Sequence, residues 1–309
     1  MKLLIVGAGG QVGTKLARRA KSQGSTVYGA YRTRKPSVML DGKAELDKTN
    51  INQVVSVLGT FQPDWVVDTG ALHNVDYCES HPEEAMAVNA RGSRNIAEEC
   101  CRLNARLVFI STDFVFDGIE APYTEESRPN PLSVYARSKL EGEANALEAN
   151  PNNTCVVRPA VIYSWASQEI DASSSSGKPL NFGAWLVSQL AANKDVNIVE
   201  DQITSPTLAD DLAGAILALL ASSRGGVFHT AGTTPLSRYQ FSVELARKMG
   251  YETSLVHPIL TATLKQVAKR PPNSSLISEK LRRGVGYSMM GITEALDVFK
   301  AQAQGRIQG

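Results

Sequence analysis

The stretch KLLIVGAGGQVG, residues 2–13, predicts the fold of this chain. Its apolar start, Lys2–Val6, runs into glycines and is typical of a buried parallel strand. Gly7, Gly10 and Gly13 follow with G-x-x-G-x-x-G spacing and open a segment with helical apolar spacing. Glycines let the backbone approach a pyrophosphate, and a helix N-terminus offers it free N–H groups. The stretch therefore predicts a dinucleotide-binding turn between a strand and a helix.

Along the rest of the chain, predicted strands alternate with predicted helices. This alternation indicates an α/β fold, a Rossmann-like doubly wound parallel sheet. Further strands are predicted at 26–31, 64–68, 106–111, 154–158, 196–199 and 227–230. Helices are predicted at 11–23, 51–60, 82–103, 133–150, 181–193, 208–222, 237–249 and 291–302, the last after an irregular stretch.

Two regions are expected from this pattern. Residues 1–160 form the dinucleotide-binding core with the catalytic residues, and residues 161–309 form most of a smaller C-terminal substrate-binding region. Segments at about 195–230 are expected to return to the core. Residues 164–179 are polar and serine-rich, so they predict a surface loop, which is either a passive insertion or a lid over a ligand.

Composition limits the function classes. The 309 residues are 43% hydrophobic and 20% charged with a net charge of +1, which favours neither nucleic-acid binding nor membrane attraction. No apolar run reaches the 18 residues of a membrane span. The N-terminus is interpreted as a strand and not as a signal peptide. Scattered histidines and cysteines predict no metal site, and free thiols predict a reducing, cytoplasmic compartment.

The end of the second predicted strand bears on cofactor choice. A carboxylate there would bind the ribose 2′-hydroxyl of NAD. The chain instead reads Arg32-Thr33-Arg34-Lys35, and Arg32 with Arg34 or Lys35 offers partners for a 2′-phosphate. The alternative is a solvated basic loop. The sequence thus favours NADP, as NADPH, and leaves NADH open.

Tyr135 and Lys139 form a Tyr-x-x-x-Lys pair downstream of Ser111-Thr112-Asp113. Positions i and i+4 share a helix face, so both side chains can point at one site. An ammonium beside a phenol lowers the phenol pKa, which predicts that Tyr135 is a proton donor with a nearby hydroxyl as partner. Taken alone, such pairs are more often ordinary helix surface.

Ordered blocks along nearly the whole chain strengthen the prediction. They are GAGGQVG (7–13), DTGALHNVDYCES (68–80), VNARGSRNIA (88–97), STDFVFDG (111–118), VYARSKLEGE (134–143), DQITSPTLADDLA (201–213) and RPPNSSL (270–276). Together they resemble the extended short-chain dehydrogenase/reductases. Within that family, the blocks resemble the dTDP-4-dehydrorhamnose reductases and the related regulatory beta subunit of methionine adenosyltransferase.

The resemblance implies roles for residues at matching positions. The cofactor would be held at its pyrophosphate by Gly7, Gly10, Gln11 and Val12, with Asp47 by the adenine and Gly70 and Ala71 along its length. Catalysis would fall to Thr112, Tyr135 and Lys139, with Asp113 beside them; Lys139 would also bind the nicotinamide ribose. Asn89 would be structural.

Three functions follow from the resemblance. The first is NAD(P)H-dependent reduction of the 4-keto group of a nucleotide-linked deoxysugar, as in dTDP-L-rhamnose biosynthesis; a homodimer is one alternative for its oligomeric state, which the sequence leaves open. The second is a non-catalytic, NADP-binding regulatory subunit of methionine adenosyltransferase. The third is an epimerase or dehydratase, which is disfavoured because Phe114 replaces the second carboxylate that dehydratases usually carry.

The chain departs from the reductase pattern mainly in its substrate half. Val161 replaces a tryptophan, Ser164 replaces a glycine, and Thr204 replaces another glycine. These changes leave sugar specificity open. The acidic cluster Glu120, Glu125 and Glu126 is expected to be a solvated loop in preference to a metal site.

Overall fold

The computed structural model describes residues 1–165 and 181–306. The first half contains the strands β1 (Lys2–Val6), β2 (Thr26–Tyr31), β3 (Gly42–Glu45), β4 (Trp65–Asp68), β5 (Arg106–Ile110) and β6 (Thr154–Arg158). Its helices are α1 (Gln11–Ser22), α2 (Ile51–Phe61), α3 (Val75–Ser80), α4 (Pro82–Met86), α5 (Gly92–Arg102) and α6 (Val134–Ala149).

In chain order, the second half contains β7 (Ile162–Tyr163), α7 (Phe182–Ala191), β8 (Val196–Val199), β9 (Ile203–Thr204), β10 (Thr207–Leu208), α8 (Ala209–Ser222), β11 (Gly226–His229), β12 (Leu236–Ser237), α9 (Arg238–Met249), β13 (Val256–Ile259), α10 (Glu279–Val285) and α11 (Ile292–Ala303).

The central sheet has seven parallel strands in the order β11-β6-β5-β4-β1-β2-β3. Alternate residues of β1 face opposite sides: Leu3 and Ile5 pack with α1 and α8, whereas Leu4 and Val6 pack toward α2 and α5. Because both faces are covered, the strands are continuous apolar runs. The predicted Rossmann-like doubly wound fold is confirmed.

The structure corrects several predicted elements. β3 was missed because this edge strand, Gly-Lys-Ala-Glu, has no fully buried residue and hence no apolar run. The single helix expected at 82–103 is interrupted by a π-helical turn, Ala87–Arg91. α10 lies in the last forty residues, in the part expected to be irregular, and β13 was not predicted.

Within residues 195–230, α8 packs against the central sheet and β11 belongs to it. β8 pairs with β13 in a separate two-stranded sheet. Its buried Val196 and Ile198 belong to a third apolar cluster, packed with residues of α7, α9 and α11 around Tyr163, Phe241 and Phe299. That cluster draws β8 away from the central sheet, which β11 extends by pairing with β6.

Most of the predicted loop at 164–179 lies outside the described residues. The first residue of this loop, Ser164, is fully buried, and its backbone oxygen accepts a hydrogen bond from Asn181 Nδ2 at 2.6 Å. The predicted free thiols are confirmed for Cys78, Cys100, Cys101 and Cys155. Among the helices described, none combines the length and the apolar composition needed to cross a membrane.

Candidate active site

A cleft of about 690 Å³ opens where β1, β2, β4 and β5 end. In doubly wound folds, ligands bind at the carboxyl ends of the strands. The predicted site residues all line this cleft: Gly7, Gly10, Gln11, Val12, Arg32, Asp47, Gly70, Ala71, Thr112, Asp113, Tyr135 and Lys139. Tertiary structure therefore brings into one cavity residues that sequence alone placed in separate blocks.

The glycine turn has no room for side chains. Gly7 has a φ of +82°, and a Cβ there would lie 2.6 Å from Thr69 Oγ1. A Cβ on Gly9 would lie 2.0 Å from the carbonyl oxygen of Arg34, and one on Gly13 would lie 2.5 Å from that of Gly7. The turn therefore packs closely against neighbouring backbone, and its glycines place no side chains on its outer surface.

The N-terminus of α1 fits an anionic group. Its N-cap, Gly10, provides no side-chain hydrogen bond, and its first turn carries no acidic residue. The first N–H groups of a helix need acceptors, and the helix dipole favours a negative one. Gln11 Nε2 is also buried without a hydrogen-bond partner among the described residues. These donors match a dinucleotide pyrophosphate.

Arg32, Arg34 and Asp47 line the same cleft. Burial would raise the pKa of Asp47, but hydrogen bonds from the Thr49 hydroxyl and N–H, together with the charge of Arg32, outweigh it and hold that pKa low. The arrangement combines an ionised carboxylate with guanidinium groups, as expected beside the adenosine of a phosphorylated dinucleotide.

Lys48 is a residue that the sequence analysis missed. It is 5% exposed, and its Nζ donates to Asp68 Oδ2 at 2.7 Å, to the Gly70 carbonyl at 2.6 Å and to Ser93 Oγ at 3.1 Å. The network fixes the loop after β4 that contains Gly70 and Ala71. A lysine in a polar segment gives no sequence signal of burial, so only the fold reveals this role.

Asn89 lies in the π-helical turn and is fully buried. Its amide pairs with Leu72, accepting from the backbone N–H at 2.8 Å and donating to the carbonyl at 3.0 Å. It also donates to Ser138 Oγ at 3.0 Å. Asn89 thus joins the loop after β4 to α6, which agrees with the structural role expected for it.

Thr112 and Asp113 follow β5 and are both buried. Thr112 Oγ1 donates to Asp113 Oδ1 at 3.1 Å and accepts from the Phe114 N–H at 3.2 Å. Asp113 Oδ2 accepts from Thr204 Oγ1 at 3.2 Å and from Ser274 Oγ at 2.5 Å. Asp113 thus orients Thr112 and connects it to the C-terminal region.

Tyr135 and Lys139 lie on α6, whose N-cap Ser133 accepts a hydrogen bond from the Ala136 N–H. Enclosure in the cleft raises the pKa of Tyr135 well above its ordinary value, and the neighbouring Thr112 side chain only partly opposes this. A phenol that keeps its proton suits a proton donor.

Lys139 is 2% exposed, and its Nζ lies 4.1 Å from the centre of the Phe109 ring. Burial and then the charge of Lys48 lower the pKa of Lys139 to about 7, against the opposing charges of Asp68 and Glu143. The expectation that Lys139 lowers the pKa of Tyr135 is therefore not met by the protein's own groups. Both side chains are desolvated, and desolvation favours the neutral form of each.

Phe114, Val161, Phe182 and Arg238 line the cleft beyond the catalytic residues. Val161 has a φ of +35°, a strained value for a β-branched residue. Its carbonyl accepts from the Thr207 N–H at 3.1 Å. Sequence reasoning identified Val161 but missed Phe182 and Arg238, which belong to no recognisable motif and are brought here by α7 and α9.

The acidic cluster lies apart from the cleft. Burial raises the pKa of Glu125, which accepts a hydrogen bond from the His229 N–H at 2.8 Å and so is not a purely solvated residue. In the parts of the chain that the structure covers, no three His, Cys, Asp or Glu residues are grouped to hold a metal ion.

Comparison with known proteins confirms the resemblance to the reductases and to the regulatory subunit. The family model described as RmlD substrate binding domain matches residues 1–304. A dTDP-4-dehydrorhamnose reductase of Sinorhizobium fredii is 34% identical over 94% of this chain and 93% of its own length. Methionine adenosyltransferase 2 subunit beta of Bos taurus is 30% identical over 96% of this chain and 88% of its own.

A solved structure has the same fold. The dTDP-4-dehydrorhamnose reductase of Bacillus anthracis, determined in complex with NADP, superposes with a TM-score of 0.84 at 28% identity. The match covers 96% of this chain and 98% of that one.

Proposed function

This chain belongs to the RmlD substrate binding domain family, and from that premise we propose that it is an NADPH-dependent reductase of nucleotide-linked 4-keto-deoxysugars. Its substrate class would include dTDP-4-dehydrorhamnose. One observation carries the proposal: Thr112, Tyr135 and Lys139 line the same cleft as the glycine turn.

The cleft suits the cofactor. The bare turn at Gly7 and Gly9 and the uncapped start of α1 would receive the pyrophosphate. Arg32 and Arg34 would pair with a 2′-phosphate, which supports NADPH over NADH. When bound, the nicotinamide supplies the hydride that reduces the carbonyl carbon.

The chain's own residues would supply the proton that the carbonyl oxygen receives. Tyr135, with its raised pKa, holds a proton that it would donate to the carbonyl oxygen as that oxygen gains charge. The Thr112 hydroxyl, whose single proton is donated to Asp113 Oδ1 in this structure, would redirect that hydrogen bond to the same oxygen when substrate binds. Lys139 has no hydrogen-bond acceptor among the described residues, and ribose hydroxyls of the cofactor would supply one.

The test is the oxidation of NADPH in the presence of dTDP-4-dehydrorhamnose and related 4-keto sugars. Tyr135→Phe keeps the ring and removes the proton donor, so we expect turnover to fall about 10²- to 10⁴-fold while NADPH binding persists. If the wild-type protein binds NADPH yet reduces no member of the panel, the proposal is wrong.

A second candidate function rests on the similarity to methionine adenosyltransferase 2 subunit beta. In that role the chain would bind NADP and alter the kinetics of a partner methionine adenosyltransferase. Co-purification with that enzyme, together with changed kinetics that persist in Tyr135→Phe, would favour it. Absence of binding at micromolar concentrations would eliminate it.

A further inference from the structure

Arg238 is the first residue of α9 and faces the catalytic cleft. It also lines a small recess that continues from this cleft, and it is the only charged residue among those described that line the recess. Its guanidinium stacks over the Phe182 ring at 5.1 Å from the ring centre. The positive charge therefore sits on the wall that the C-terminal region contributes.

The guanidinium has unused hydrogen-bonding capacity. Within residues 1–165 and 181–306, no acceptor forms a hydrogen bond with its side chain, although an arginine carries five N–H donors. Burial lowers the pKa of Arg238 to about 10, which reflects incomplete compensation of its charge.

The neighbouring carboxylate does not satisfy it. The charge of Asp113 favours the Arg238 cation, but Asp113 forms no hydrogen bond with Arg238 and already accepts hydrogen bonds from the hydroxyls of Thr112, Thr204 and Ser274. An external anion with free oxygens would accept the hydrogen bonds that the Arg238 guanidinium has available.

We propose that Arg238 binds the diphosphate of the nucleotide-linked sugar. This inference rests on the proposed function, which places the keto carbon at Tyr135. The diphosphate is attached across the sugar ring from a 4-keto group, so it would extend away from Tyr135, and Arg238 offers a cation on the wall of the same cleft. A planar guanidinium binds phosphate oxygens in a bidentate manner, and the positive end of the α9 dipole reinforces the attraction.

The test measures binding of dTDP alone by calorimetry, beside steady-state kinetics. Arg238→Met keeps an aliphatic stem against Phe182 and removes the charge. We expect dTDP affinity to fall about 10- to 100-fold and the KM for the sugar nucleotide to rise similarly, with kcat and NADPH affinity little changed. Arg238→Lys keeps the positive charge but loses the bidentate geometry of the guanidinium. Its dTDP affinity should lie between those of the wild type and Arg238→Met.

Arg247→Ala is the matched control, because that arginine lies on the same helix with 61% of its side chain exposed. Equal dTDP affinity in the wild type and Arg238→Met, or no dTDP binding by the wild type, overturns the inference. Retained NADPH affinity shows that a variant is folded. If dTDP binding depends on Arg238 but no 4-keto sugar is reduced, the inference stands and the proposed function fails.

Discussion

The Asp113 carboxylate accepts a hydrogen bond from Thr204 Oγ1 at 3.2 Å, across 91 positions of sequence. The family resemblance implied a glycine where Thr204 stands, and this departure supplies a hydroxyl to a buried carboxylate. With Ser274, it ties the loop after β5 to two segments of the C-terminal region. The positioning of Thr112 therefore depends on residues far from it in sequence.

Thr204→Val should weaken this connection. The change keeps the side-chain shape and removes one donor to a buried carboxylate, so we expect the free energy of unfolding to fall by about 1.5–3 kcal/mol. Urea denaturation measures it. Ser274→Ala and the double variant complete a double-mutant cycle. Because both hydroxyls donate to the Asp113 carboxylate, we expect the loss of stability in the double variant to differ from the sum of the two single losses. Strictly additive losses would contradict a common acceptor for the two hydroxyls.

Lys139 should make stability depend on pH. Its pKa is about 7 in the folded protein and near 10.4 when unfolded. Between these values the unfolded chain binds more protons, so the cost of burying Lys139 is full below pH 7 and disappears as pH rises.

Comparison with Lys139→Met isolates this effect. We expect the stability of the wild type relative to the variant to rise by on the order of 1 kcal/mol per pH unit from pH 7 to 9. Urea denaturation of both proteins at several pH values gives the difference. A difference that is flat or falls with pH would show that the ammonium is not desolvated in the folded state.

Arg32 should distinguish the two cofactors. Arg32→Ala removes a guanidinium that is proposed to bind the 2′-phosphate, and we expect NADPH affinity to fall about 10- to 100-fold with little change for NADH. Titration of each nucleotide measures this. Arg94→Ala, at an exposed ion pair on α5, serves as the control. Equal losses for both nucleotides would place the 2′-phosphate elsewhere.

Two glycines should respond in opposite directions to alanine. A Cβ at Gly9 would lie 2.0 Å from the carbonyl oxygen of Arg34, so we expect Gly9→Ala to cost about 1–3 kcal/mol and to weaken NADPH binding. Gly59 lies within α2 with nothing within 4 Å of an added Cβ, so Gly59→Ala should stabilise by up to about 1 kcal/mol. Thermal unfolding with and without NADPH tests both.

Prediction from sequence succeeded where one local pattern corresponds to one structure. The run Lys2–Val6 followed by glycines gave the first strand and the turn, and all-apolar strands gave a sheet covered on both faces. It failed for β3, a polar edge strand that pairing with β2 defines. It predicted β8 as a strand but not its partner β13, which lies some sixty residues later and was itself missed.

The sequence by itself determined the doubly wound core, the glycine turn and the Tyr135–Lys139 pair, because glycine spacing, apolar runs and i, i+4 pairs are short-range patterns. Asp47, Gly70 and Ala71 were expected from the family resemblance. Only the tertiary structure decided the electrostatics, since burial raises the pKa of Tyr135 and lowers that of Lys139. It also brought Lys48, Thr204 and Arg238 to the site. Such long-range contacts depend on packing between distant elements, for which no local pattern exists.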